Sequence, residues 1–100
     1  MYCLTVIYQK PENQEHFKKH YAEVHLPLAK KLPGLRTYNV AYPTALGRQE
    51  AAPFCIFQAY FDDLDGMNKA LRSDVGKEVA ADVPNYSPKG ASMFHFDLDP

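Results

Sequence analysis

Apolar and polar positions change their period along the chain, and the changes separate strands from helices. Tyr2 to Tyr8 is a β-branched and aromatic run that stops at Gln9-Lys10-Pro11, which predicts a strand and a turn. From about Pro11 to Lys31 the period is helical. Phe17, Tyr21, Val24 and Leu28 fall at i, i+4, i+7 and i+11 and form one apolar stripe. Asn13 is placed to cap the start. Pro27 disfavours helical backbone at Leu26, so the helix is expected to end or kink near His25. Leu32-Pro33-Gly34-Leu35 is a stop and turn. Arg36 to Tyr42 alternates as a second strand, with Tyr38, Val40 and Tyr42 on one side and Thr37, Asn39 and Ala41 on the other. Pro43 to Pro53 is a loop of small residues, and Phe54 to Phe61 is a third strand, apolar on both faces. Asp62-Asp63 opens a second helix whose apolar face is Leu64, Met67, Ala70 and Leu71. Gly76 is its expected break, Val79, Ala80 and Val83 continue the pattern to Pro84, and Ala91 to Leu98 is the last strand.

The order β-α-β-β-α-β is the ferredoxin-like α+β arrangement, a four-stranded antiparallel sheet with two helices on one side. A length of 100 residues suits one domain spanning residues 1–100. Strands one and three are then central, antiparallel neighbours. Both are two-sided: Leu4 and Val6 oppose Cys3, Thr5 and Ile7, while Phe54, Ile56 and Tyr60 oppose Cys55, Phe57 and Phe61. Two helices cover one face only, and the other would be a contiguous apolar patch. A two-fold homodimer pressing two such sheet faces together removes that exposure.

Composition narrows the partners. The formal net charge of −1 argues against nucleic acid, which needs a basic excess or stripe. No run of about 18 apolar residues is present to span a membrane. The first residues lack the basic start and small-residue cleavage site of a signal peptide, so a cytoplasmic location is expected. Cys3 and Cys55 have neither CxxC nor zinc-finger spacing and are expected to be buried, reduced thiols at opposite ends of the central strand pair.

Titratable and aromatic residues supply the candidate chemistry. His16 and His20 stand one helical turn apart, a spacing that could place two imidazoles on one metal with Glu23 as a loose third ligand, but that spacing alone is a weak signal. They are expected to flank the stripe and face solvent, with no metal site. His25, at the expected helix end, is a candidate general acid–base with a side-chain range suited to neutral pH; a role binding free carbonyls at the helix end is equally open. Asp82, near the end of the second helical region, opposes the helix dipole and calls for a partner. That partner is either an imidazole or a backbone donor in the Pro84-Asn85-Tyr86-Ser87 turn. Tyr8, Tyr38, Tyr42, Tyr60 and Tyr86 are placed to line an apolar pocket and offer hydroxyls to a ligand. No GxGxxG, GxxxxGK or GxSxG pattern occurs, and no cofactor is expected.

The stretch Phe17-Lys18-Lys19-His20-Tyr21-Ala22-Glu23-Val24-His25-Leu26-Pro27-Leu28, followed by Leu32-Pro33-Gly34-Leu35-Arg36-Thr37-Tyr38, resembles the EthD family. Its mark is an aromatic helix ending in His-x-Pro-Leu, then a Pro-Gly-Leu turn into a tyrosine-bearing strand. Ala81-Asp82-Val83-Pro84-Asn85-Tyr86-Ser87 and Phe61-Asp62-Asp63-Leu64 are similar to that family's later segments. The resemblance implies a dimeric α+β barrel in which two sheets enclose a cavity. It also implies His25, Asp82, Asn85 and Tyr86 as a candidate site. The family is named for a protein associated with bacterial ether degradation, and its wider superfamily includes cofactor-free monooxygenases, cyclases, isomerases, dehydratases and haem-degrading enzymes. A shared fold does not name the reaction. The leading expectation is acid–base or oxygenase-type chemistry on a small hydrophobic, oxygenated or aromatic metabolite. In it His25 is the acid–base, Asp82 its partner, and Asn85 and Tyr86 hydrogen-bond the substrate. The alternatives are a non-catalytic ligand-binding accessory protein of an oxygenase pathway, or a haem-binding barrel using His25 or His20.

Overall fold

The β-branched and aromatic run Tyr2–Tyr8 forms strand β1, an inner strand of the sheet in a computed structural model that describes residues 1–47 and 52–99. It pairs antiparallel with β3 (Cys55–Phe61) on one side and β4 (Ser92–Asp97) on the other, and β2 (Thr37–Ala41) pairs with β3. The order β2-β3-β1-β4 is the ferredoxin-like topology that the element order implies. Of the loop expected over Pro43 to Pro53, residues 48–51 lie outside the described residues.

The register sets the two faces. Leu4 opposes Ala59, Val6 opposes Phe57 and Tyr8 opposes Cys55, so these residues share the face that the helices cover. With Phe17, Tyr21, Ala29, Met67, Ala70 and Tyr86 they form the core. Each large side chain buried there stabilises the fold by roughly 1.5–3 kcal/mol relative to exposure. Cys3 pairs with Tyr60 and Cys55 with Tyr8, so the two buried, free thiols sit at opposite ends of the β1–β3 ladder, as the topology predicts.

The first helix changes its winding just ahead of Pro27. Helix α1 (Gln14–His20) starts at Asn13, whose side-chain oxygen accepts from the His16 backbone N–H. The chain does not stop at His25. It widens over Tyr21–His25 into a π turn, with the Leu26 N–H donating to the Tyr21 carbonyl, and resumes as α2 (Leu26–Ala29). Pro27 thereby sits in the first turn of α2, where a missing N–H costs least. The widening also resets the buried face: Val24 is 41% exposed, whereas His25 is 3% exposed. The inward residues are Phe17, Tyr21, His25 and Ala29, at steps of four, in place of the predicted Val24 and Leu28. In an α-helix each step of four overshoots a full turn by about 40°; the wider turn takes up that drift.

The second helical region breaks at Ser73 and not at Gly76. Asp63 caps α3 (Leu64–Arg72), accepting from the Gly66 N–H, and Ser73 caps α4 (Asp74–Tyr86), accepting from the Gly76 N–H. Gly76 lies in the first turn of α4 against the end of α3, where a Cβ would stand 2.3 Å from the Ala70 carbonyl oxygen. Its role is close approach. Helix α4 runs through Pro84 to Tyr86, so the segment expected as a turn after Asp82 is its last helical turn.

Among the described residues no helix lies over the other sheet face. There Thr5, Ile7, Ile56, Gln58 and Tyr60 neighbour Phe94 and Phe96 of β4, which is exposed along its whole length. Among the described residues no helix is long and apolar enough to cross a membrane.

Candidate functional site

Asp82, near the end of α4, faces the π turn and is 7% exposed. Its carboxylate accepts from His20 Nε2–H at 2.8 Å, His25 Nδ1–H at 2.9 Å and Asn85 Nδ2–H at 3.0 Å. Burial opposes the charge of Asp82, but the hydrogen bonds from Asn85, His20 and His25 outweigh it and hold the carboxyl below its ordinary range. For His25 the balance is the reverse. Burial lowers its pKa although Asp82 pulls upward, so the ring favours the neutral form. With Nδ1–H committed to Asp82, the lone pair of a neutral His25 lies on Nε2.

Tyr86 meets that lone pair. Its hydroxyl donates to His25 Nε2 at 3.1 Å, and the Tyr8 hydroxyl donates in turn to the Tyr86 oxygen at 2.6 Å. The Tyr86 ring lies 4.7 Å from the His25 ring and 5.6 Å from the His20 ring, centroid to centroid, with Phe17 and Tyr21 edge-on to it. Burial pushes the phenols of Tyr8, Tyr21 and Tyr86 up, so all three stay protonated at neutral pH. Tyr8, Tyr86, His25 and Asp82 thus form one line of hydrogen bonds from the central strand to α4. It repeats the logic of a nucleophile–histidine–carboxylate triad, with a phenol in the hydroxyl position.

A cavity of about 500 Å³ reaches this line from outside. Tyr86 and Ser87 are buried at its inner side, Ile7, Pro11 and Ala91 form apolar wall, and Asn85 and His16 lie along one flank. His16 Nε2–H donates to the Asn85 carbonyl at 3.0 Å, tying α1 to the end of α4. His25 and Asp82 stand behind Tyr86 and do not line the cavity.

Of the residues singled out from sequence, His25, Asp82, Asn85, Tyr86 and Tyr8 come together. Tyr38 and Tyr60 do not join them. Tyr38 lies on the edge strand β2, stacked on Phe57 at 6.1 Å with the Lys30 ammonium 5.7 Å from its ring. Tyr60 lies on the uncovered sheet face, where its hydroxyl donates to Gln58 and accepts from Asn39. Tyr42, beside Phe54 and the Lys18 ammonium, lines a separate shallow cleft. His20, expected to face solvent, instead binds Asp82. Five residues apart, His20 and His25 would project about 140° apart on a regular α-helix; the π turn brings both to one carboxylate. The spacing itself carried no signal of this.

Among the described residues no group of three or more His, Cys, Asp or Glu is placed to hold a metal ion. Of the two histidines considered for haem, His25 has both ring nitrogens hydrogen-bonded and His20 Nε2 is held by Asp82.

Comparison with known proteins agrees with the fold and with the His-x-Pro-Leu resemblance. An uncharacterized 11.0 kDa protein from the thcB-thcC intergenic region of Rhodococcus erythropolis is 28% identical over 97 residues, covering 97% of this chain and 94% of that protein. The crystal structure of an EthD family protein from Bacillus halodurans is 28% identical, covers 99% of both chains and superposes with a TM-score of 0.92. At lower identity the likeness is one of fold. A dimeric ferredoxin-like protein of Thermobifida fusca has 12% identity and a TM-score of 0.71, covering 97% of this chain and 90% of that one. SnoaB, a cofactor-independent oxygenase of Streptomyces nogalater, has 14% identity and a TM-score of 0.67, covering 99% of this chain and 93% of that one. The sequence profile of the EthD domain matches residues 9–90, and on that match the chain belongs to the EthD family.

Proposed function

We propose that the protein is a small-molecule enzyme that moves a proton on a hydrophobic, oxygenated or aromatic metabolite held in the cavity beside Tyr86. The observation that carries this reading is the line of hydrogen bonds from Asp82 through His25 to Tyr86, a residue that also lines the cavity. A proton leaving the substrate is taken by the Tyr86 oxygen while the Tyr86 proton passes to His25 Nε2. Asp82 holds the ring in the Nδ1–H tautomer and balances the imidazolium as it forms. Asn85 and His16 orient the substrate from the flank. The pair needs no bound cofactor to transfer the proton, and SnoaB shares this fold while working as a cofactor-independent oxygenase. In this reading the working form is a homodimer, as in the dimeric proteins of this fold, and the uncovered sheet faces supply its interface.

Screening turnover of small aromatic and oxygenated metabolites tests the proposal. With a substrate in hand, His25→Gln and Tyr86→Phe are each expected to lower kcat/KM by about 100-fold or more. The wild-type profile should rise with pH through a midpoint below 6.5, because burial lowers His25. Turnover unchanged in both variants would remove the proton-transfer role. The burial of His25 behind Tyr86 favours one second reading, a ligand-binding accessory protein, which predicts saturable binding with no product over long incubation.

A further inference from the structure

Charge around the cavity mouth carries information that the hydrogen-bonded line does not. The chain as a whole has a net charge of −1, yet the cavity is bordered by Lys10 and Lys89 against a single carboxylate, Glu12. Among the described residues neither lysine takes part in an ion pair. Both are exposed, whereas Tyr86 and Ser87 are buried, so positive charge lies at the mouth and an aromatic surface at the floor.

The two lysines also rise from fixed backbone. Lys10 follows the end of β1 and precedes Pro11, whose ring restricts Lys10 to extended backbone. Lys89 sits at the tip of a closed turn: the Gly90 N–H donates to the Ser87 carbonyl at 2.8 Å, and the Ser87 hydroxyl donates to the Gly90 carbonyl at 2.7 Å. Gly90 has φ +82°, a conformation that L side chains rarely adopt, which keeps the turn in this shape.

We infer that this cavity selects an amphipathic organic anion, an apolar or aromatic body bearing a carboxylate, with Lys10 and Lys89 binding the carboxylate at the mouth and the body reaching Tyr86. The inference rests on the cavity beside Tyr86 being the substrate site. A local reversal of sign draws an anion toward the mouth and turns its apolar end inward. Glu12 repels a second carboxylate, so a monoanion fits better than a dianion.

The probes are 2-naphthoate and its neutral isostere 2-naphthamide, titrated separately into the isotope-labelled full chain and followed by NMR at Tyr86 and Ala91. The naphthoate is expected to bind up to about fivefold more tightly than the amide at low salt, the upper range for an exposed ion pair. The advantage should shrink at high salt. The double variant Lys10→Glu/Lys89→Glu should abolish or invert the preference while leaving the amide's affinity in place, and Lys77→Glu on α4 should leave the preference intact. Equal binding of the two probes to the wild-type chain would overturn anion selection and leave the cavity reading standing. A preference that survives the double variant would overturn the role of the lysines. No shift at Tyr86 with either probe would overturn the cavity reading, and this inference with it.

Discussion

Asp82 joins two helices through one carboxylate that accepts three hydrogen bonds, and two of the donors are imidazoles from the π turn and its flank. That arrangement ties stability to acid. Burial lowers the His25 pKa below 6.5 in the folded state, so on acidification the unfolded chain takes up its proton first. The contribution of His25 is fully present above pH 6.5 and is lost as pH falls toward its folded value. At Asp82 burial raises the pKa, but the hydrogen bonds lower it further, leaving it under 3.8. Its contribution is present above that pH and is lost as pH falls through the folded value. Thermal melts across a pH series are expected to show Tm falling first below about pH 6.5. His25→Gln should flatten that first decline and leave the lower one. An identical pH dependence in the variant would mean that the imidazole is not neutral in the fold. Asp82→Asn removes a charged acceptor from a buried site and is expected to lower stability by about 2 kcal/mol or more in urea unfolding.

Helices α3 and α4 meet at Ser73, and the junction works because nothing projects from Gly76. Gly76→Ala would push a methyl group into the Ala70 and Leu71 carbonyls, at 2.3 Å and 2.5 Å. Rigid backbone on the other side leaves no room to yield, so a loss of about 2 kcal/mol or more is expected, in the range for overpacking. Ser73→Ala should cost about 1 kcal/mol through the lost cap. An alanine at Gly76 that left the unfolding midpoint unchanged would show that the two helices can part. The π turn is the other decisive feature. It keeps the helix running past a proline, turns Val24 outward and His25 inward, and so brings His20 and His25 to one carboxylate.

Across the whole molecule, one sheet face is closed by the helices and the other stays open. Phe94 is 55% exposed and Phe96 is 39% exposed on the open side, next to Thr5, Ile7 and Ile56. Between them Asn39, Tyr60, Gln58 and Thr5 form a hydrogen-bonded row across the strands. A dimer through this face would bury the aromatic edge and keep the row satisfied. Phe94→Glu is expected to give a monomer in light-scattering chromatography with the secondary structure retained. A dimer that persisted with wild-type mass would place the interface elsewhere.

Strand and helix identities, the four-stranded topology and the separation of the two thiols were all legible in the chain, because alternation and helical period are local and each strand declares its faces by side-chain type. The pairing of His25 with Asp82 could be suspected but not established, since it closes across 57 residues of chain. The recruitment of His20 was hidden altogether: it follows from the π turn over Tyr21–His25, and no spacing rule encodes that. Tyr60 shows the same limit. Alternation puts it opposite Phe57 and Phe61, but only the packing of the helices on one face decided which side became core and which stayed open. Local periods follow from bonded geometry, whereas a site assembled from β1, the π turn and α4 depends on contacts that form when distant segments are buried together.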